Sequence, residues 1–116
     1  EVILNMGNDI NPDLIGIVRT MMIMAQYDLG NYSILPHMVK SSKLWVKRRG
    51  VLDKEDELLF SLLAAVVKPT NAAAHKSAWQ KLLAAIEAGK LTYICDNINF
   101  EEWARSRAQV KARFIY

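Results

Sequence analysis

The stretch Leu58-Leu59-Phe60-Ser61-Leu62-Leu63-Ala64-Ala65-Val66-Val67 limits this chain more than any other. It carries one small hydroxyl and is otherwise apolar. Coiled as a helix it has no solvent face, so other elements must wrap it. Its ten residues are too few to cross a bilayer, which takes about 20. The expectation is therefore an all-α fold: a compact bundle of about five helices around a central apolar helix, 58–67.

The chain is long enough to supply those wrappers. At 116 residues it amounts to a single helical domain, 1–116, with no internal repeat, low-complexity segment or linker. A chain of this size buries roughly two-thirds of its unfolded surface. Its 52% apolar and 23% charged residues are ordinary globular composition. Cys95 is the only cysteine, which excludes an internal disulfide framework and suits a reducing compartment, cytoplasmic or nuclear. The first residue, Glu1, reads as the start of a fragment or processed product. The sequence given holds no signal peptide and no transmembrane run.

The wrapping helices announce themselves through caps and periodicity. Asn11-Pro12-Asp13 opens the first: an N-cap residue, a proline at the first helical position, an anion at the positive dipole end. Leu14, Ile17, Val18, Met21, Met22, Ala25 and Leu29 then recur at helical spacing as its expected core face, and Gly30-Asn31 ends it. Gly16 inside it reads as a point of close helix approach. Met21, Met22 and Met24 read as core filler, with a pliable partner surface as the alternative. The second helix starts at Leu35-Pro36. Leu35, Met38, Val39, Ser42, Trp45 and Val46 make one clean face; Lys40, Lys43 and Lys47 fall opposite, with Arg48 beside them and no acid among them. Asp53 caps the central helix, Glu55, Asp56 and Glu57 match its dipole, and Lys68-Pro69 stops it. Thr70 or Asn71 caps the fourth helix, which buries His75, Trp79, Leu82, Leu83 and Ile86 and ends at Gly89.

Two segments are less decided. Leu91-Thr92-Tyr93-Ile94-Cys95 has strand character and could join Val2-Ile3-Leu4 in a two-stranded ribbon; a short extra helical turn fits as well. Asn99-Phe100-Glu101-Glu102 opens the last helix as a capping box. Phe100, Trp103, Val110 and Phe114 share its face, and Arg107 falls inside that stripe, so its head must snorkel or find a partner. Phe114-Ile115-Tyr116 reads as an end that docks on the body or continues into a longer parent.

Catalytic and metal chemistry find little support. His37 and His75 are the only histidines and neither has a ligand at short spacing, so no metal is expected. Cys95 with His75 could form a nucleophile and base, but a half-buried thiol and a core histidine account for both. The five glycines are scattered, so no phosphate loop exists. The reading is a non-enzyme without cofactor, membrane or small-molecule substrate.

Charge points elsewhere. Net charge is +3, yet residues 1–35 hold four acids and one base while 36–116 hold fourteen bases and eight acids. Such a basic remainder attracts polyanions. Lys40, Lys43, Lys47 and Arg48 flank Trp45; Arg105, Lys111 and Arg113 follow Trp103. These seven cations are the expected phosphate contacts of a domain that binds or packages nucleic acid, RNA or DNA. Both tryptophans fall on core stripes, which argues against base stacking. Self-association, or a protein partner, is expected through the Val2–Leu4 arm, the helix 1 methionines, Leu44 and the aromatic terminus. A helical adaptor that binds only protein is the alternative.

Overall fold

The computed structural model describes residues 12–48, 50 and 53–109, without the side chains of Pro12 and Asp13. Among the described residues six α-helices follow one another: α1 (Pro12–Asp28), α2 (Leu35–Arg48), α3 (Lys54–Val67), α4 (Ala72–Glu87), α5 (Thr92–Asn97) and α6 (Phe100–Ala108). A 3-10 turn, Tyr32–Ile34, leads into α2. No β-strand occurs among the described residues. The all-helical bundle expected from the sequence is the fold. The ribbon is not: residues 92–97 are helical, and Val2–Leu4 lie outside the described residues. A lone strand gains nothing without a partner, whereas here the Tyr93 N–H donates to the Glu55 carboxylate at 2.9 Å, satisfying one of the orphan donors of a helix start.

Local chemistry sets most helix ends. Asp53 Oδ1 accepts the Asp56 N–H at 2.8 Å, and Asp56 returns a longer bond to the Asp53 N–H, closing a capping box on α3. Asn71 Oδ1 accepts the Ala74 N–H at 2.8 Å, so Asn71 rather than Thr70 caps α4. Lys68, ahead of Pro69, turns extended and stops α3. Gly30 and Gly89 take positive φ, 80° and 73°, and the residue after each donates back to the carbonyl five positions earlier, as in a Schellman close. The last expected cap fails: Asn99 makes no side-chain bond to the first turn of α6. The N-cap position of α1, Asn11, lies outside the described residues.

Consecutive helices pack on one another: α1 on α2, α2 on α3, α3 on α4, and α4 on α6, with α5 against α6. α3 thus sits between α2 and α4 and buries Leu59, Phe60, Leu63, Val66 and Val67. It is central, but it is not wrapped all round. Ser61, Ala64 and Ala65 face solvent. Two neighbours cannot cover a whole helix, and the side left open is the one whose apolar side chains are smallest and lose least by staying wet.

The expected face of α1 is inverted. Ile15, Ile17, Thr20, Ile23 and Tyr27 are buried, while Leu14, Met21, Ala25 and Leu29 are exposed and Val18 and Met22 are half-buried. Of the expected core residues only Ile17 is buried, and the methionine-filler reading fails for Met21. α1 is apolar on nearly every side, so periodicity could not choose its inner face. Thr20 sits in the core because its hydroxyl donates to the Gly16 carbonyl at 2.7 Å. Gly16 faces the start of α3 without a forced close approach: a methyl placed there would lie 3.6 Å from the Asp56 carboxylate, an ordinary contact distance.

The half-open α3 makes a direct prediction. Leu63→Ala, at a fully buried position, should cost about 2–5 kcal/mol in urea unfolding. Ala65→Lys, on the wet side, should move the midpoint by less than about 0.5 kcal/mol. Equal losses would mean that Ala65 is covered.

Candidate nucleic-acid interface

α2 carries the largest group of candidate residues. Its inner side buries Leu35, Val39, Ser42 and Val46, as the spacing requires. That fixes the outer side. Lys40, Lys47 and Arg48 are exposed, and Lys43 is half-buried along its stem, leaving its head to reach water. Leu44, 40% exposed, lies among them, with His37 also exposed one turn earlier than Ser41. At about 100° per residue, Lys40, Lys43 and Lys47 project on one flank of Leu44, and His37 and Arg48 on the other. None of these four cations forms an ion pair with a described carboxylate. Lys47 and Arg48 occupy the last turn, where the helix dipole favours cations.

One cation was missed. Arg19 of α1 lays its guanidinium over the Trp45 ring, 5.3 Å from the centroid. Trp45 itself packs against the core edge, half-buried. It therefore joins α1 to α2 and is covered on one side by protein.

The second expected group separates. Arg105 is engaged: it bonds Glu101 through Nε at 3.0 Å and Glu87 through Nη2 at 3.3 Å, and these bonds hold its pKa up, Glu101 foremost. Lys111 and Arg113 lie outside the described residues. α6 packs on α4 and α5 while α2 packs on α1 and α3, so Arg105 and the α2 lysines do not share a helix interface.

Arg107 does find a partner, and it is distant in sequence. Its Nε and Nη2 donate to Asp28 Oδ1 and Oδ2 at 2.6 and 3.0 Å, and the Trp103 indole N–H donates to Oδ1 at 3.0 Å. The Arg107 bonds, with help from Trp103, hold the Asp28 carboxyl below its usual range despite partial burial. Asp28 had one visible signal. It ends α1, where the dipole disfavours an anion, so it must be held by something else. Beside it, Tyr27 packs edge-on against Tyr32, Trp79 and Trp103 at 5.4–6.0 Å. Burial, with Tyr32 adding, pushes the Tyr27 phenol up to about 12.

The other titratable groups serve the fold. His75 is buried on α4, and its Nε2 accepts the Trp79 indole N–H at 3.2 Å; burial lowers its pKa, so it stays neutral. Burial first, then Glu101, Asp96 and Glu55, raise the Cys95 thiol; His75 is not among the groups acting on it. That is the reverse of what activates a nucleophilic thiol. Among the described residues no three His, Cys, Asp or Glu side chains gather as a metal group, and no helix is long and apolar enough to cross a membrane. An open groove of about 390 Å³ runs between the start of α3 and the α4–α5 turn, lined by Lys54, Glu55, Leu58, Gly89, Lys90 and Thr92. Asp56 borders a second, water-sized crevice under Gly16, with Glu55, Tyr93 and Ile94. Burial, then the nearby Asp53 charge, lift its pKa to about 6. No family model matches the chain, nor does any curated protein or solved structure.

Two stability measurements follow. Asp28→Asn keeps an acceptor but loses the charge; it should cost about 1–2 kcal/mol, whereas Arg105→Ala, at an exposed pair, should leave the urea midpoint in place. Asp56 has the opposite sign. Its folded pKa, about 6, lies above an unfolded value of about 3.9, so the folded state binds more protons between them. Its charged form then costs stability as pH rises through 6. Asp56→Asn should match the wild type near pH 4 and exceed it by about 1–2 kcal/mol at pH 7. A gap that stays flat with pH would remove Asp56 as the cause.

Proposed function

We propose that this chain is a non-catalytic nucleic-acid-binding or packaging domain that grips phosphates with the outer side of α2, coupled to self-association. One observation carries the reading. Lys40, Lys43, Lys47 and Arg48 stand together on an acid-free helix surface without ion pairs among the described residues, while Arg105 and Arg107 are each held by carboxylates. Unpaired lysines and arginines keep their full attraction for a polyanion and lose no existing partner on binding it. Each phosphate neutralised releases condensed counterions, so the four α2 contacts alone give a log–log salt slope of about −3.6 on duplex DNA, and about −5.4 with Lys111 and Arg113, which stay in the contact set on sequence grounds. Arg105 would have to exchange Glu101 and Glu87 for a phosphate.

The rival reading, a helical adaptor that binds protein, draws on a different surface. Leu14, Val18, Met21, Ala25 and Leu29 form an apolar stripe along α1 with spacings of three and four residues; Leu14, Met21 and Leu29 are 46, 50 and 71% exposed. Stripes of this kind pair with another helix. Within the first reading the same stripe serves self-association.

The two are separated by one titration. Fluorescence anisotropy with a labelled oligonucleotide at low salt should show binding that weakens steeply with salt. It should vanish in Lys43→Glu/Lys47→Glu with the unfolding midpoint unchanged. Light scattering that shows salt-insensitive self-association, with no anisotropy change for any probe, would reject nucleic-acid binding in favour of the adaptor.

A further inference from the structure

Resting on that reading, we infer that the ligand of the α2 surface is double-stranded nucleic acid held through its backbone, rather than a single strand. Single strands are bound by pairing cations with exposed aromatic rings on which bases stack, at about 1–3 kcal/mol per base. The α2 surface offers no exposed Phe, Tyr or Trp ring; its one exposed ring is the small imidazole of His37. Trp45, the aromatic nearest the lysines in sequence, lies half-buried against the core with Arg19 over one face. Trp79, Trp103, Phe60, Phe100 and Tyr27 are buried. Of the Phe, Tyr and Trp side chains among the described residues Tyr93 is the one well exposed, and it belongs to α5 at the crevice beside Gly16.

With stacking reduced to one imidazole, charge density decides. A duplex carries one negative charge per about 1.7 Å of axis, twice that of one of its strands, and returns more counterions per contact. Shape points the same way. α2 is a helix of 14 residues, about 21 Å long. Its cations stand on both flanks of Leu44, three on one side and Arg48 on the other. Across a B-form major groove about 12 Å wide, the two flanks would face the phosphates of the two strands. α1 and α3 cover its back, so α2 meets the groove rim and no side chain is committed to reading bases. Binding is therefore indifferent to sequence.

The test uses the full chain with a labelled 20-base-pair DNA duplex, each of its isolated strands, and a second duplex of unrelated sequence, at about 50 mM salt. The duplexes should bind alike and at least about ten-fold tighter than either strand. Lys43→Glu/Lys47→Glu should lose both activities, and Lys40→Glu/Lys47→Glu, at exposed positions, should do the same if the first variant is unstable. Strands that bind as tightly as the duplexes, or tighter, would overturn the duplex assignment while leaving nucleic-acid binding in place. No anisotropy change with any probe would overturn nucleic-acid binding itself.

Discussion

The fold depends on what happens at the end of α1. Tyr27 enters a cluster with Trp79 of α4 and Trp103 of α6, and Asp28 beside it takes three donors from Trp103 and Arg107. Residues up to 79 positions apart are closed by this junction. Edge-on aromatic pairs and charge-assisted bonds to a carboxylate are both directional, so together they fix an orientation that apolar burial alone leaves loose. Once Tyr27 is held inward, α1 can no longer roll. Thr20 and Ile23 follow Tyr27 into the core, and Leu14, Met21 and Leu29 are turned out.

That orientation also sorts the charges. Arg19 is brought over Trp45 of α2, on which α1 packs, and Gly16 faces Asp56 at the start of α3. The cations of α6 are drawn into pairs with Asp28, Glu87 and Glu101. Those of α2 form no ion pair with a described carboxylate: α2 has no acid of its own, and the acids of α3 crowd its first turn, where they cap the helix, take the Tyr93 N–H or line the crevice under Gly16. Lys54, Lys68, Lys76, Lys81 and Lys90 also stand outside the described ion pairs; what sets α2 apart is that its cations gather on one acid-free helix surface. Attraction for a polyanion is the property such a surface has.

Buried polar groups outside this junction are satisfied locally. His75 and Trp79 bond each other one helical turn apart, and Thr20 bonds its own helix. No buried side-chain nitrogen or oxygen among the described residues lacks a partner. Core histidine, threonine and serine are therefore packing residues of a tight interior, in which a leftover donor or acceptor would cost about 1–3 kcal/mol.

What the sequence determined by itself is what acts within about four residues. The caps at Asp53 and Asn71, the stops at Gly30, Lys68-Pro69 and Gly89, and the clean inner face of α2 were legible because each depends on neighbours along one helix. The tertiary structure decided the rest. α1 and α3 are apolar on nearly every side, so only the partners that arrived could say which side of each stays wet. The strand-like run after Leu91 became helix because no second strand met it among the described residues and Glu55 took its N–H. Asn99 lost its capping role, Arg105 paired with Glu101 and Glu87, 4 and 18 positions away, and Arg107, whose place in the apolar stripe called for a partner, found it in Asp28, 79 positions away. Periodicity measures how a helix contrasts with itself; it carries no information about the surface that another helix brings to it.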